Sequence, residues 1–196
     1  SIDILLAYRS VESYPDMVRF IEALPAFLKN TIMIREQYGF ALNRAGKKDD
    51  AITVLQKLID DNGPSSETCG ILGRVYKDKY NELKGSKPLL ANGYLDKAIA
   101  TYLMGYKADM RDFYPGVNAV NLLFIKKDPI AADLAKVVEF SVNTYLEKKA
   151  KKSFRNITSN FDDYWPYATL LELAVIQSNH EAANKYLAQC LITPNE

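Results

Sequence analysis

Cysteine and histidine are scarce in this chain. Cys69 and Cys190 are its two cysteines, too few for a disulfide framework or a cysteine-based zinc site. His180 is the single histidine, so a Ser-His-Asp arrangement would have to be built around it. Charge of one sign is also missing: 25 basic against 24 acidic side chains leave a net charge of +1. That balance argues against nucleic acid or a membrane surface as an electrostatically recruited partner. No apolar run approaches the roughly 18 residues of a membrane-spanning helix. The start, Ser1 to Ser10, lacks the basic-then-apolar-then-small order of a signal peptide. No Met opens the chain, which reads as a fragment or processed piece of a longer protein, with the cytoplasm as its expected location. Long stretches of period-two alternation are missing as well, so strands are not expected.

What is present is ordinary globular composition, 48% hydrophobic and 25% charged over 196 residues, enough for a sizeable core. The dominant period is helical. Ile34, Tyr38, Ala41, Leu42 and Ala45 recur at three and four, and so do Ala51, Val54, Leu55, Leu58 and Ile59. The short polar stretch Gly46 to Asp50 between them requires two antiparallel helices. Asn62-Gly63-Pro64 stops the second, because Gly supplies a left-handed cap and Pro cannot continue a helix. Ser65 or Ser66 then caps the next helix, with Glu67 near its positive end.

Internal repetition decides the architecture. Tyr38-Gly39 is followed thirty-four residues later by Leu72-Gly73, and Leu42 by Tyr76 at the same spacing. Gly39 and Gly73 would let a paired helix approach closely, since a side chain there would hold the backbones apart. The partner of Ala51 is displaced by thirteen residues to Ala98, and the excess lies between Asn81 and Gly93. A third pair of helices is expected over Pro115–Ile125 and Pro129 to about Lys149, and a fourth over Tyr164–Gln177 and His180 to about Leu191. Pro15 to Leu24 reads as the second helix of an incomplete first unit. The expectation is an all-α solenoid of antiparallel helical hairpins, about four units plus the incomplete one. It forms a single repeat domain over residues 1–196 with an insertion around 81–93.

The repeat pattern itself is tetratricopeptide-like: a small residue in helix A, an aromatic soon after, then Ala followed four later by a large residue in helix B. Ala51 with Leu55, Ala98 with Tyr102 and Ala182 with Tyr186 fit it, and Trp165 lies near where such repeats often carry tryptophan. Two segments go further: Thr68-Cys69-Gly70-Ile71-Leu72-Gly73-Arg74-Val75-Tyr76-Lys77-Asp78 and Arg111-Asp112-Phe113-Tyr114-Pro115-Gly116-Val117-Asn118-Ala119-Val120-Asn121. With Asp163-Tyr164-Trp165 leading into Ala168 to Ala174, they resemble the TRAF-binding tetratricopeptide region. That region lies in the central regulatory part of apoptosis signal-regulating MAP kinase kinase kinases and has bacterial relatives. The resemblance covers roughly residues 12–191. It implies a non-catalytic regulatory module, usually fused to other domains, that serves adaptor binding and control of an attached kinase. No Gly-rich phosphate loop and no His-Arg-Asp catalytic loop occur here.

In such arrays the helix A side chains line a concave groove. Tyr114, Asn118 and Asn121 fall at i, i+4 and i+7, one face of a helix that Pro115 can begin. Val117, Val120 and Phe124 fall on another face, assigned to the core. Amides and a phenol in line suit the backbone of an extended peptide. The competing reading is that Asn118 and Asn121 satisfy backbone carbonyls of the fold. Arg74, Lys77 and Asp78 share a helix A face, with Glu36, Asn43 and Arg44 at comparable positions one unit earlier. Arg74 would fork onto a carboxylate or phosphate, or would pair with Asp78 or Asp112. Glu172 is the single charge between Tyr167 and Ile176 and needs a partner, Arg111 or a groove amide.

His180 is expected on the surface, and Cys69 and Cys190 as small hydrophobes. Lys148, Lys149, Lys151, Lys152 and Arg155 form a basic cluster that meets a helix C-terminus. The leading expectation is a protein-interaction or regulatory scaffold without a cofactor. It would bind a peptide, a partner domain or another domain of its own polypeptide through Asn43, Arg74, Lys77, Arg111, Tyr114, Asn118 and Asn121. The alternative is a small-molecule sensor or enzyme with a polar pocket of Arg111, Asp112, Tyr114 and Glu172. Homo-oligomerisation through an exposed end of the array is a third reading.

Overall fold

The computed structural model describes residues 2–153 and 164–192, with side chains for all of these except 152 and 153. Among the described residues the regular structure is entirely helical. The chain divides into two compact units, Ser1–Ala108 and Asp109–Glu196. The first holds α1 (Ile2–Ser10), α2 (Tyr14–Glu22), α3 (Ala26–Lys29), α4 (Ile32–Arg44), α5 (Lys48–Asn62), α6 (Ser66–Leu83) and α7 (Pro88–Ala108). The second holds α8 (Phe113–Ile125), α9 (Ile130–Ser153), α10 (Tyr164–Ile176) and α11 (His180–Ile192).

The pattern of neighbours is that of stacked hairpins. In the first unit α4 packs on α5 and α6 on α7, while α4 also meets α6 and α5 meets α6. In the second unit α8 packs on α9 and α10 on α11, and α10 touches both α8 and α9. Within each unit a helix A therefore lies against its own helix B, and α4 meets α6 and α8 meets α10 as successive A helices. Local chemistry sets the boundaries. Gly63 ends α5 with φ 81°, a conformation that favours glycine. The Ser65 hydroxyl accepts from the Thr68 amide at 3.0 Å to begin α6. The segment 81–93 finishes α6, turns through residues 84–87 and opens α7. The thirteen extra residues thus lengthen one hairpin, whose helices run to 18 and 21 residues.

The core follows the repeat. Ala51, Leu55, Ala98 and Tyr102 are all fully buried. A Cβ placed on Gly39 would lie 2.5 Å from Leu55 Cγ, and one on Gly73 would lie 2.8 Å from the Tyr102 ring. The two glycines are thus sites of close helix approach in successive hairpins. Ala182 and Tyr186, at the matching positions of α11, are half-buried, and no residue of that helix is fully buried. Val117 and Val120 enter the core as expected, but Phe124 does not: it is 54% exposed. Phe124 lies in the last turn of α8, just before the chain reverses at Lys127 (φ 59°).

Gly39→Ala and Gly73→Ala are each expected to lower stability, by up to about 2 kcal/mol. Overpacking of a buried side chain costs about 1–3 kcal/mol, and the better helix propensity of Ala returns about 1 kcal/mol. Gly93, inside α7 with nothing within 4 Å of its would-be Cβ, is the control. Gly93→Ala should raise stability by about 0.5–1 kcal/mol. Urea midpoints at unchanged slope check both signs.

Candidate functional site

In the first unit, Asn43, Arg74 and Asp78 form one cluster across neighbouring A helices. Asn43, in the last turns of α4, is 6% exposed. Its Nδ2 donates to Asp78 Oδ2 on α6 at 2.8 Å. Arg74 Nε donates to the other oxygen, Asp78 Oδ1, also at 2.8 Å. Asp78 is therefore bridged from both sides, and Arg74 adopts the i, i+4 pairing on its own helix. The Arg74 side chain remains 42% exposed, and Lys77 lies half-buried beside it on the same helix. Asn43 Oδ1 is buried without a hydrogen-bond partner among the described residues.

Ahead of this cluster, the same pair of helices is tied by Glu36, 8% exposed. The Thr68 hydroxyl donates to Glu36 Oε1 at 2.6 Å and accepts from Ser65 Oγ at 2.8 Å. The hydroxyl chain gives the carboxylate a partner inside the fold.

In the second unit the segment before α8 is organised by two aspartates. Arg111 Nε and Nη2 each donate to Asp109 at 2.8 Å. Those bonds hold the Asp109 carboxyl down to about 2, well below the usual carboxylate range. Asp112 caps α8 by accepting from the Tyr114 amide at 3.1 Å. Asn118 is 9% exposed, and its Nδ2 donates to the Tyr114 carbonyl one turn earlier at 2.9 Å. Asn121 Nδ2 donates to Glu172 Oε2 on α10 at 2.7 Å. Glu172 thus finds a groove amide as its partner, although it is exposed and not sunk among apolar neighbours. Its face of α10 opens to solvent while Leu170, Leu173 and Ala174 turn inward.

Asn43 to Asp78 and Asn121 to Glu172 are the same device: an amide on one helix A donating to a carboxylate on the next. The spacing points to Asp78 as a partner of Arg74 and to Glu172 as a carboxylate that needs one, but not to Asp109. That residue's signal, an acid two places before Arg111, is too common to single out. Arg111 borders a groove along α9 whose described lining includes none of Asp112, Tyr114 and Glu172. Each of the carboxylates serves a cap or an amide.

His180 is exposed at the start of α11. Cys69 is buried, and burial pushes its thiol up to about 11, so it carries no thiolate at neutral pH. Lys148 and Lys151 are exposed near the end of α9. The side chain of Lys152 and all of Arg155 lie outside the described residues. Among the described residues no helix is long and apolar enough to cross a membrane.

Residues 1–192 match the family model described as the MAP3K TRAFs-binding domain. The chain belongs to that family. It is 29% identical over 201 residues to the mitogen-activated protein kinase kinase kinase nsy-1 of Caenorhabditis elegans, covering 91% of this chain and 12% of that protein. It is 26% identical over 187 residues to mouse mitogen-activated protein kinase kinase kinase 15, covering 91% of this chain and 13% of that protein. The chain thus spans about one-eighth of the length of these relatives. Among solved structures it is similar to a thermophilic TPR protein of Thermus thermophilus. The TM-score is 0.68 at 12% identity, over 97% of this chain and 88% of that one. At such identity the likeness shows the fold alone. The architecture is the all-α solenoid of TPR-like hairpins, and the region it matches in the kinases is a protein-interaction region.

The Asp78 bridge gives a testable asymmetry. Asp78→Ala strands the buried Asn43 amide and should cost about 2–3 kcal/mol. Arg74→Ala removes only a half-exposed partner and should cost under about 1 kcal/mol. Chemical denaturation of the two variants and of the double variant measures both the difference and the coupling.

Proposed function

We propose that this region is a non-catalytic scaffold whose A helices present polar side chains to a protein partner. The partner is a peptide or a folded domain, including another domain of the same polypeptide. The observation that carries this reading is the division of labour among the polar residues. Asn43 and Asn118 are buried and hold neighbouring groups, whereas Arg74 and Tyr114 stay 42% and 44% exposed on helices fixed by those same bonds. A guanidinium already held by one carboxylate loses little freedom when a second acceptor arrives, so recognition starts from an ordered surface. In the first unit the contacting side chains are Arg74 and Lys77, positioned by Asn43 and Asp78. In the second they are Arg111, Tyr114 and Asn121, positioned by Asp109, Asn118 and Glu172.

Family membership supports a protein as the ligand, and the family description names TRAF proteins as one class to test. The near-zero net charge supports recognition by local polar matching over long-range attraction. The whole chain 1–196 acts here as one repeat domain, and the cytoplasm is the compartment that its two unpaired cysteines suit.

The test is affinity capture from native lysate, with a purified TRAF domain as a defined probe, comparing the wild type with Arg74→Ala/Lys77→Ala and with Tyr114→Ala/Asn121→Ala. A partner retained by the wild type and reduced at least tenfold by one of the double variants is the expected result. Circular dichroism should stay unchanged and melting should shift by only a few degrees, because the altered side chains are exposed or half-exposed and their bonds lie at the surface. Equal recovery on all three proteins would remove the polar A-helix faces from the binding site.

A further inference from the structure

Helix α9 carries two apolar faces where the repeat needs one. Ala131, Ala135, Val138 and Val142 are buried and form the packed face. Val137, Phe140, Ser141, Thr144 and Tyr145 recur at three and four along a different side and line a groove of about 550 Å³. Met110, in the segment before α8, also lines it. These apolar groups are open: Phe140 is 73% exposed, Met110 47% and Val137 41%. A single exposed aliphatic is ordinary, but a stripe of them with a lined concavity marks an interaction surface.

The polar part of the lining has one sign. Arg111, Lys148 and Lys149 border the groove, and no carboxylate is among its described lining residues. Arg111 is fixed at the mouth by its two bonds to Asp109, whereas Lys148 is exposed at the far end of the stripe. From Val137 to Lys148 the stripe runs about 16 Å at the helical rise. That length matches three turns of an amphipathic helix, or about five residues of extended chain. The concave shape fits a segment that inserts side chains and not the flat surface of a bilayer.

We propose that the α9 groove binds a short amphipathic, acidic segment of a partner protein. Its apolar side chains cover Val137 and Phe140, and its carboxylates lie beside Lys148 and Lys149. This surface shares Arg111 with the polar face of the second unit and otherwise goes beyond the polar A-helix faces. Phe140 supplies contact area and Lys148 selects charge, so the two roles can be separated by mutation.

The test pans a displayed library of random twelve-residue peptides on the intact chain and on Phe140→Asp. Peptides with apolar residues at helical spacing and Asp or Glu at one flank should be enriched on the wild type and not on the variant. A synthetic peptide of that sequence should bind at least tenfold more weakly to Phe140→Asp and to Lys148→Glu. The same peptide with its acids changed to lysine should instead prefer Lys148→Glu. Because both side chains are exposed, unchanged helicity and urea midpoint are the folding control. Enrichment without acidic bias, equal enrichment on Phe140→Asp, or no enrichment at all overturns the proposal. So does binding to phosphatidylserine vesicles in place of peptides, which assigns the groove to a membrane. A wild-type dimer that Phe140→Asp dissociates would overturn it too, by assigning the groove to a second copy. The Arg74→Ala/Lys77→Ala and Tyr114→Ala/Asn121→Ala variants should keep full peptide affinity, so failure of either surface leaves the other standing.

Discussion

The close approach of paired helices at Gly39 and Gly73 is the constraint on which the first unit depends. At both places a buried side chain of helix B, Leu55 or Tyr102, occupies the space that a Cβ would need. The surrounding positions follow from that contact. Ala51 and Ala98 must be small, because they precede Leu55 and Tyr102 by one turn on the same buried face. Tyr102 is larger than Leu55 and is as fully buried, with its ring against Gly73. The insertion therefore leaves the repeat contact in register and adds helix on both sides of the turn. Thirteen residues enter between Gly73 and its partner relative to Gly39 and Leu55, yet the same pair of positions meets.

Close packing within a hairpin does not by itself fix one hairpin against the next. That job falls to polar links between A helices. Glu36 with Thr68 and Asn43 with Asp78 tie α4 to α6 at two levels, and Asn121 with Glu172 ties α8 to α10. Apolar surface could slide by a fraction of a turn at little cost, whereas a buried amide must meet its carboxylate or lose a hydrogen bond. Salt pairs on the periphery repeat the theme between α5 and α6, where Lys48 meets Glu82 at 2.6 Å and Lys79 meets Asp49. Being largely exposed on their acidic side, those pairs contribute little to stability.

The architecture was legible in the residues because its signals are local and repeated. The helical period and the Gly63-Pro64 stop are local, and the thirty-four-residue spacing of the glycines repeats one hairpin in the next. The resemblance carried by Arg111 to Asn121 extended that reading to the weaker second half. Side-chain partnership was only half legible. Arg74 with Asp78 lies at i+4, within reach of a sequence argument, but Asn43 with Asp78 spans 35 residues and Asn121 with Glu172 spans 51. Such pairs depend on which turn of one helix faces which turn of another, and periodicity does not set that offset. Phe124 failed for a related reason: spacing gave its angular position correctly, but not that the chain reverses before a neighbour covers it.

The α9 stripe was missed for the opposite reason, since its spacing is as regular as that of any core face. Val137, Phe140, Ser141, Thr144 and Tyr145 read as helix interior, and the buried Ala131, Ala135, Val138 and Val142 read the same way. A helix with apolar residues on both sides is usually buried all round, and here only one side is covered by its own unit. Small residues distinguish the two faces. The packed side uses Ala and Val, which let α8 and α10 come close, whereas the open side carries the aromatics Phe140 and Tyr145. Aromatic rings beside flanking cations, with no acid among the described lining residues, form the composition of a binding surface more than that of a core. A chain with balanced overall charge thus carries a groove whose described charged lining is basic, with Arg111 already bonded to Asp109 and Lys148 exposed.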